Sequence, residues 1–135
     1  MALQASALKV GDTYSECVVE DLKRTQIVQY AGTSGDYNPL HTDEVFTTQV
    51  AKYPSVFAHG MLTMGMTGGM LTNYVGDGRL TKYGVRFTNQ VWPGDTLTAE
   101  SEVESVADGI VRLKVTTTNQ DGVTVLSGYA EARVD

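Results

Sequence analysis

This sequence predicts an α+β fold: one antiparallel β-sheet wrapped around a single apolar helix. Three observations lead there. Residues 57–75 carry no Asp, Glu, Lys or Arg, yet hold four of the five methionines. From residue 80 onward, apolar and polar positions alternate in run after run, the period of half-buried strands. Between these runs stand Pro93-Gly94-Asp95, Asp108-Gly109 and Asp121-Gly122, which are turn signals. A sheet with one dry face needs a partner layer, and the 59–75 segment is the only long apolar element available.

The elements follow in order. Residues 12–20 read as a first strand, and residues 23–33 as a short helix with Ile27, Val28 and Ala31 on its apolar positions. Residues 34–58 form a long connection of a length usually reserved for function, with one or two helical turns expected over 44–51. The 59–75 helix contains Gly60, Gly65, Gly68 and Gly69. Each glycine costs a helix interior about 1 kcal/mol relative to Ala, so a sheet, a ligand or a second subunit should approach the backbone there. Residues 80–90 are extended, and Trp92-Pro93-Gly94-Asp95 is a type II turn. Leu97, Ala99, Ser101 and Val103, then Val111, Leu113 and Val115, then Leu126, Ala130, Ala132 and Val134 supply the dry face. The whole of 1–135 reads as one domain.

Composition narrows the function. With 41% hydrophobic and 19% charged residues, the chain suits a soluble globular protein. Its net charge of −6 argues against nucleic acid as partner, which demands a basic face. The lone Cys17 makes no internal disulfide, and no Cys/His spacing suggests zinc. The N-terminus lacks the pattern of a signal peptide. The apolar helix, with His59, several Thr and Gly, is a poor membrane span. A cytoplasmic location is the expectation.

The chemistry concentrates in one stretch, Gly32-Thr33-Ser34-Gly35-Asp36-Tyr37-Asn38-Pro39-Leu40-His41. Asn38 precedes a proline and is pushed out of the α region, and Gly35 offers a further exit from helix. Asp36, Asn38 and His41 are therefore expected on an extended segment leaving the first helix. An Asp and a His converging on one water form a general acid–base pair. Ligation of a metal by Asp36, His41 and Asp43 is the weaker reading for so irregular a segment. His59 either contacts substrate or caps backbone groups, with the structural role favoured; the methionines read as core filler and Trp92 as packing. Arg86 is either a surface strand residue or a phosphate contact.

The combination of Ser34-Gly35-Asp36-Tyr37-Asn38-Pro39-Leu40-His41, Ala58-His59-Gly60-Met61 and Val91-Trp92-Pro93-Gly94-Asp95 resembles the MaoC-like, (R)-specific enoyl-thioester hydratases and dehydratases. The likeness spans roughly residues 8–134. It is strongest to the dehydratase subunits of the actinobacterial type II fatty acid synthase, notably the catalytic B subunit, through residues 59–65 and 83–88. The resemblance implies a single hot-dog fold and a lyase that interconverts (3R)-3-hydroxyacyl and trans-2-enoyl thioesters. It implies that Asp36 and His41 hold the water added at C3, that Asn38 orients them, and that an amide near Gly60 polarises the thioester carbonyl. Where some members carry a helical Ser, this chain has Gly68, so Gly68 and Gly69 are candidates for a widened acyl tunnel. No metal or redox cofactor is implied. The carrier is coenzyme A or acyl carrier protein, and the assembly a homodimer or a heterodimer with a second hot-dog subunit. Two competing readings remain: an acyl-thioester-binding subunit of a hetero-oligomeric dehydratase, and an acyl-coenzyme A thioesterase.

Overall fold

The computed structural model describes residues 3–135. Its strands are β1 (Thr13–Val19), β2 (Leu80–Phe87), β3 (Leu97–Ala107), β4 (Ile110–Thr118) and β5 (Thr124–Arg133). Its helices are α1 (Arg24–Ser34), the single turn α2 (Pro39–Thr42) and α3 (Gly60–Val75). The strands form one sheet in the order β1-β3-β4-β5-β2, and every pairing is antiparallel. The sheet wraps around α3, the hot-dog arrangement expected from the sequence.

Turn chemistry sets the connections. Asp108 and Gly109 both adopt positive φ, 55° and 73°, which a two-residue hairpin with native twist requires. Gly94 has φ 93° at the third position of the Trp92 turn, and the Asp95 amide closes that turn onto the Trp92 carbonyl at 3.0 Å. The alternation read from the sequence appears as burial. Leu97, Ala99 and Val103 of β3, Val111, Leu113 and Val115 of β4, and Ala130 and Ala132 of β5 pack with Met70, Leu71 and Val75 of α3 in one core. Leu22, at the end of the β1–α1 link, and Ile27 of α1 complete it. The opposite sheet face is charged: Glu131 pairs with Arg112 at 3.0 Å and Lys82 at 3.4 Å.

The four glycines of α3 divide into two kinds. A Cβ on Gly60 would lie 2.9 Å from the Phe87 ring, and one on Gly68 would lie 3.3 Å from the Tyr83 ring. The expected close approach is thus made by two aromatic side chains of β2. A Cβ on Gly65 or Gly69 would meet nothing within 4 Å. The close approach expected at Gly69 is therefore absent within the chain.

The connection between α1 and α3 also differs in detail from the expectation. His41 sits on a helical turn, not on extended chain. Proline's fixed φ suits the first position of a helix, and Asn38 (φ −51°, ψ 131°) caps that turn by accepting the Leu40 amide at 2.9 Å. The helical turns expected over 44–51 are realised mainly as a π-type turn, Phe46–Val50. Thr47, fully buried, anchors it through its hydroxyl to the carbonyls of Pro39 and Asp43.

Candidate active site

Gly35, the αL residue after α1 (φ 77°), turns the chain so that Asp36 leaves the helix. The Asp36 carboxylate then accepts the Asn38 amide at 3.2 Å, an Asx turn that fixes its direction. Asn38 in turn caps α2, which carries His41. The motif is thus a chain of local bonds: Asp36 holds Asn38, and Asn38 starts the turn that presents His41.

Two tertiary bonds lock this arrangement against α3. The His41 Nδ1 lies 2.6 Å from the Phe57 carbonyl. A carbonyl only accepts, so Nδ1 carries the hydrogen, and Nε2 of the neutral ring is a free acceptor. The His59 Nε2 lies 2.9 Å from the Asp36 backbone carbonyl and donates by the same logic. His59 is 2% exposed and stacks on His41, with ring centroids 3.9 Å apart and planes 26° off parallel. One donor atom from each of Asp36, His41 and His59 falls within 4.8 Å of the other two.

Electrostatics favour a neutral His41. Burial pushes it below the ordinary imidazole value, and the neighbouring His59 acts in the same direction. The Phe57 carbonyl and the Asp36 carboxylate oppose this. Stacked rings send their in-plane lone pairs side by side rather than toward one point. The donor set therefore suits proton transfer better than ligation. Asp43, the third residue of the metal reading, is engaged elsewhere, accepting the Phe46 amide at 3.1 Å.

His41 faces a cavity of about 230 Å³, bounded also by Phe57, Gly60, Thr63, Phe87 and Val125. The first turn of α3 opens onto it. The Leu62 and Thr63 amides bond back to the His59 carbonyl, at 3.1 and 3.4 Å. Those of Gly60 and Met61 have no backbone acceptor among the described residues. Helix starts leave such donors free for an incoming oxygen. Asp36 is exposed beside His41 and outside the cavity lining, and Gly68 and Gly69 lie one to two turns further along α3, also outside it.

Residues 6–125 match the family described as MaoC like domain. The chain belongs to that family. Among MaoC-like relatives, 3-hydroxyacyl-thioester dehydratase Y of Mycobacterium tuberculosis is 45% identical over 67 residues, 47% of this chain and 23% of its own length. Peroxisomal enoyl-CoA hydratase 2 of Arabidopsis thaliana is 32% identical over 133 residues, 96% of this chain. The chain covers 41% of that plant protein, so it spans less than half the length of either curated relative. The solved structure of R-hydratase PhaJ1 from Pseudomonas aeruginosa, unliganded, superposes with a TM-score of 0.85 at 28% identity, over 98% of this chain and 86% of that one.

Sequence reading left part of this MaoC-like site unseen. The Phe57 carbonyl, which sets the His41 tautomer, is backbone and carries no residue signature. The placement of His59 behind both Asp36 and His41 is a tertiary fact. Phe87 and Thr63 as cavity walls had a faint signal, the opposition of a helical glycine to an aromatic strand residue.

Proposed function

We propose that this chain is a hydro-lyase that interconverts (3R)-3-hydroxyacyl and trans-2-enoyl thioesters on coenzyme A or acyl carrier protein. One observation carries the reading. A carboxylate, Asp36, stands beside a free imidazole acceptor, Nε2 of His41, and His41 lines a cavity that also meets helix N-terminal amides with no backbone acceptor among the described residues. A water between two acceptors gives a hydrogen to each and keeps its lone pairs for carbon. In hydration Asp36 takes one proton from that water, His41 orients it, and its oxygen bonds to C3. Negative charge grows on the thioester oxygen, which the amides near Gly60 stabilise. C2 then takes the proton back from Asp36, so one water is added in all. Dehydration is the reverse. Asn38 acts through the turn it caps. The names of the relatives support the same reaction class.

The two edge strands, β1 and β2, favour pairing with a second chain. A homodimer is the symmetric solution, and a heterodimer with a second hot-dog subunit is the alternative. A sedimentation mass near the 14.6 kDa of one chain, with activity retained, overturns both. No helix among the described residues is long and apolar enough to cross a membrane, and the cytoplasm is the compartment we assign. Crotonyl-coenzyme A tests the chemistry. Loss of enoyl absorbance without free thiol supports the hydro-lyase; release of thiol means thioesterase; no change leaves a binding subunit.

A further inference from the structure

We propose that His59 is a positioning residue of the reaction: its buried ring ties both Asp36 and His41 to the start of α3. The inference rests on the enoyl-thioester reading above and adds a residue to that site.

His59 stands where the parts of the site meet. It is the N-cap of α3, directly before Gly60 and Met61, whose amides have no backbone acceptor among the described residues. Its backbone carbonyl accepts the Leu62 and Thr63 amides and so opens the helix. Its side chain makes no capping bond. A side chain serving only the helix start would have capped it. Instead Nε2 donates to the Asp36 carbonyl at 2.9 Å, and the ring stacks on His41 with centroids 3.9 Å apart. Tyr30 of α1 meets the same ring edge-on, at 4.8 Å.

Packing alone does not account for this ring. His59 is buried, and with the hydrogen on Nε2 its Nδ1 is a bare acceptor without a partner among the described residues. A buried acceptor left unpaired lowers stability. A phenylalanine would fill much the same space without that loss. The imidazole is retained for its bond to Asp36, a sacrifice of stability of the kind found at functional sites.

The two contacts act on different groups. The turn through Asn38 sets the direction of the Asp36 carboxylate within its own loop. The His59 bond sets where that loop stands against α3. The stack covers one face of the His41 ring while the Phe57 carbonyl holds its Nδ1, so Nε2 keeps one direction. Misplacing reacting groups by about an ångström costs about 10²-fold in rate, so loosening either contact is expected to show in turnover.

Two variants separate the contacts. His59→Phe keeps a ring and loses the bond. His59→Gln keeps a donor and loses the ring. Each should lower kcat per folded molecule on crotonyl-coenzyme A by about tenfold or more. KM should stay within about threefold of wild type, because His59 is not part of the cavity wall. A merely structural residue would lower the melting temperature and leave that kcat alone. Either variant, folded and with wild-type kcat, overturns the proposal. Nitrogen-15 spectra of the histidine rings give a readout that needs no turnover. In wild type, His59 should carry hydrogen on Nε2 and none on Nδ1, and His41 should carry its hydrogen on Nδ1. In His59→Gln, His41 should become a mixture of tautomers. A hydrogen on Nδ1 of wild-type His59 overturns the proposal whether or not any variant folds. So does a folded His59→Gln protein whose His41 keeps a single tautomer. If wild type converts no enoyl thioester, the hydro-lyase reading fails, and the spectra alone decide whether His59 holds the pair.

Discussion

At its C-terminal end α3 holds Met70, Leu71 and Val75 at 1% exposure or less, packed against β3, β4 and β5. Its first turn lines a cavity, carries a glycine in place of a packing side chain, and leaves two amides without backbone partners among the described residues. One helix thus supplies core at one end and polar chemistry at the other. The difference teaches how the fold divides its work. Burial at one end holds the helix, so the other end can keep unpaired donors and face a cavity. Substitutions at the two ends should therefore separate activity from stability.

The largest effect is expected at the catalytic end. Asp36→Asn can keep the turn onto the Asn38 amide but cannot take a proton. Turnover should fall by roughly 10²–10⁴-fold, the usual worth of a general base, with an unchanged melting temperature because Asp36 is exposed. His41→Gln should do the same, and the double variant should be little worse than either single. Retention of more than about a tenth of wild-type turnover by Asp36→Asn would sink the acid–base assignment.

Next comes the buried end. Leu71→Ala removes a side chain with no exposed surface, at a cost of about 2–5 kcal/mol. Urea denaturation measures that loss, and the kcat of the remaining folded protein should stay near wild type. A proportional loss of kcat per folded molecule would show that the two ends are not separable.

The pH profile sharpens the catalytic end. His41 must be neutral for Nε2 to accept from water, and burial holds its pKa below the ordinary value. The neutral form is present above that pKa and lost as pH falls through it. The acid limb of kcat/KM assigned to His41 should therefore lie below about pH 6.5. A limb above that value, abolished by His41→Gln, would contradict burial as the dominant influence on His41.

The smallest effects test the two kinds of glycine. Gly60→Ala should lower kcat/KM by about tenfold, as displacing a positioned oxyanion donor does in part, because its Cβ pushes on Phe87 in the cavity wall. Its stability should change by less than about 1 kcal/mol, since helix propensity offsets the crowding. Gly69→Ala meets open space and should gain up to about 1 kcal/mol of stability, seen as a raised melting temperature. A lowered melting temperature would instead mean that a second chain packs on that turn.

Much of this protein was set by local rules that act along the chain. Alternation with period two placed Leu97, Ala99, Val111, Leu113, Ala130 and Ala132 inside, and the Asp-Gly and Pro-Gly pairs placed the turns, because pleat and φ restrictions operate over a few residues. The pairing of Asp36 with His41 was readable for the same reason. Five residues of constrained backbone, broken by Asn38-Pro39, bring them near one another, before the bonds to Phe57 and His59 fix them. What only the tertiary structure decided lies across long separations. The Phe57 carbonyl selects the His41 tautomer, His59 reaches 23 residues back to the Asp36 carbonyl, and β2 chooses Gly60 and Gly68, not Gly65 and Gly69, for its aromatic rings. Each depends on how α3 is rotated and seated within the sheet, and that rotation is set by the summed packing of the core, which no short stretch of sequence contains.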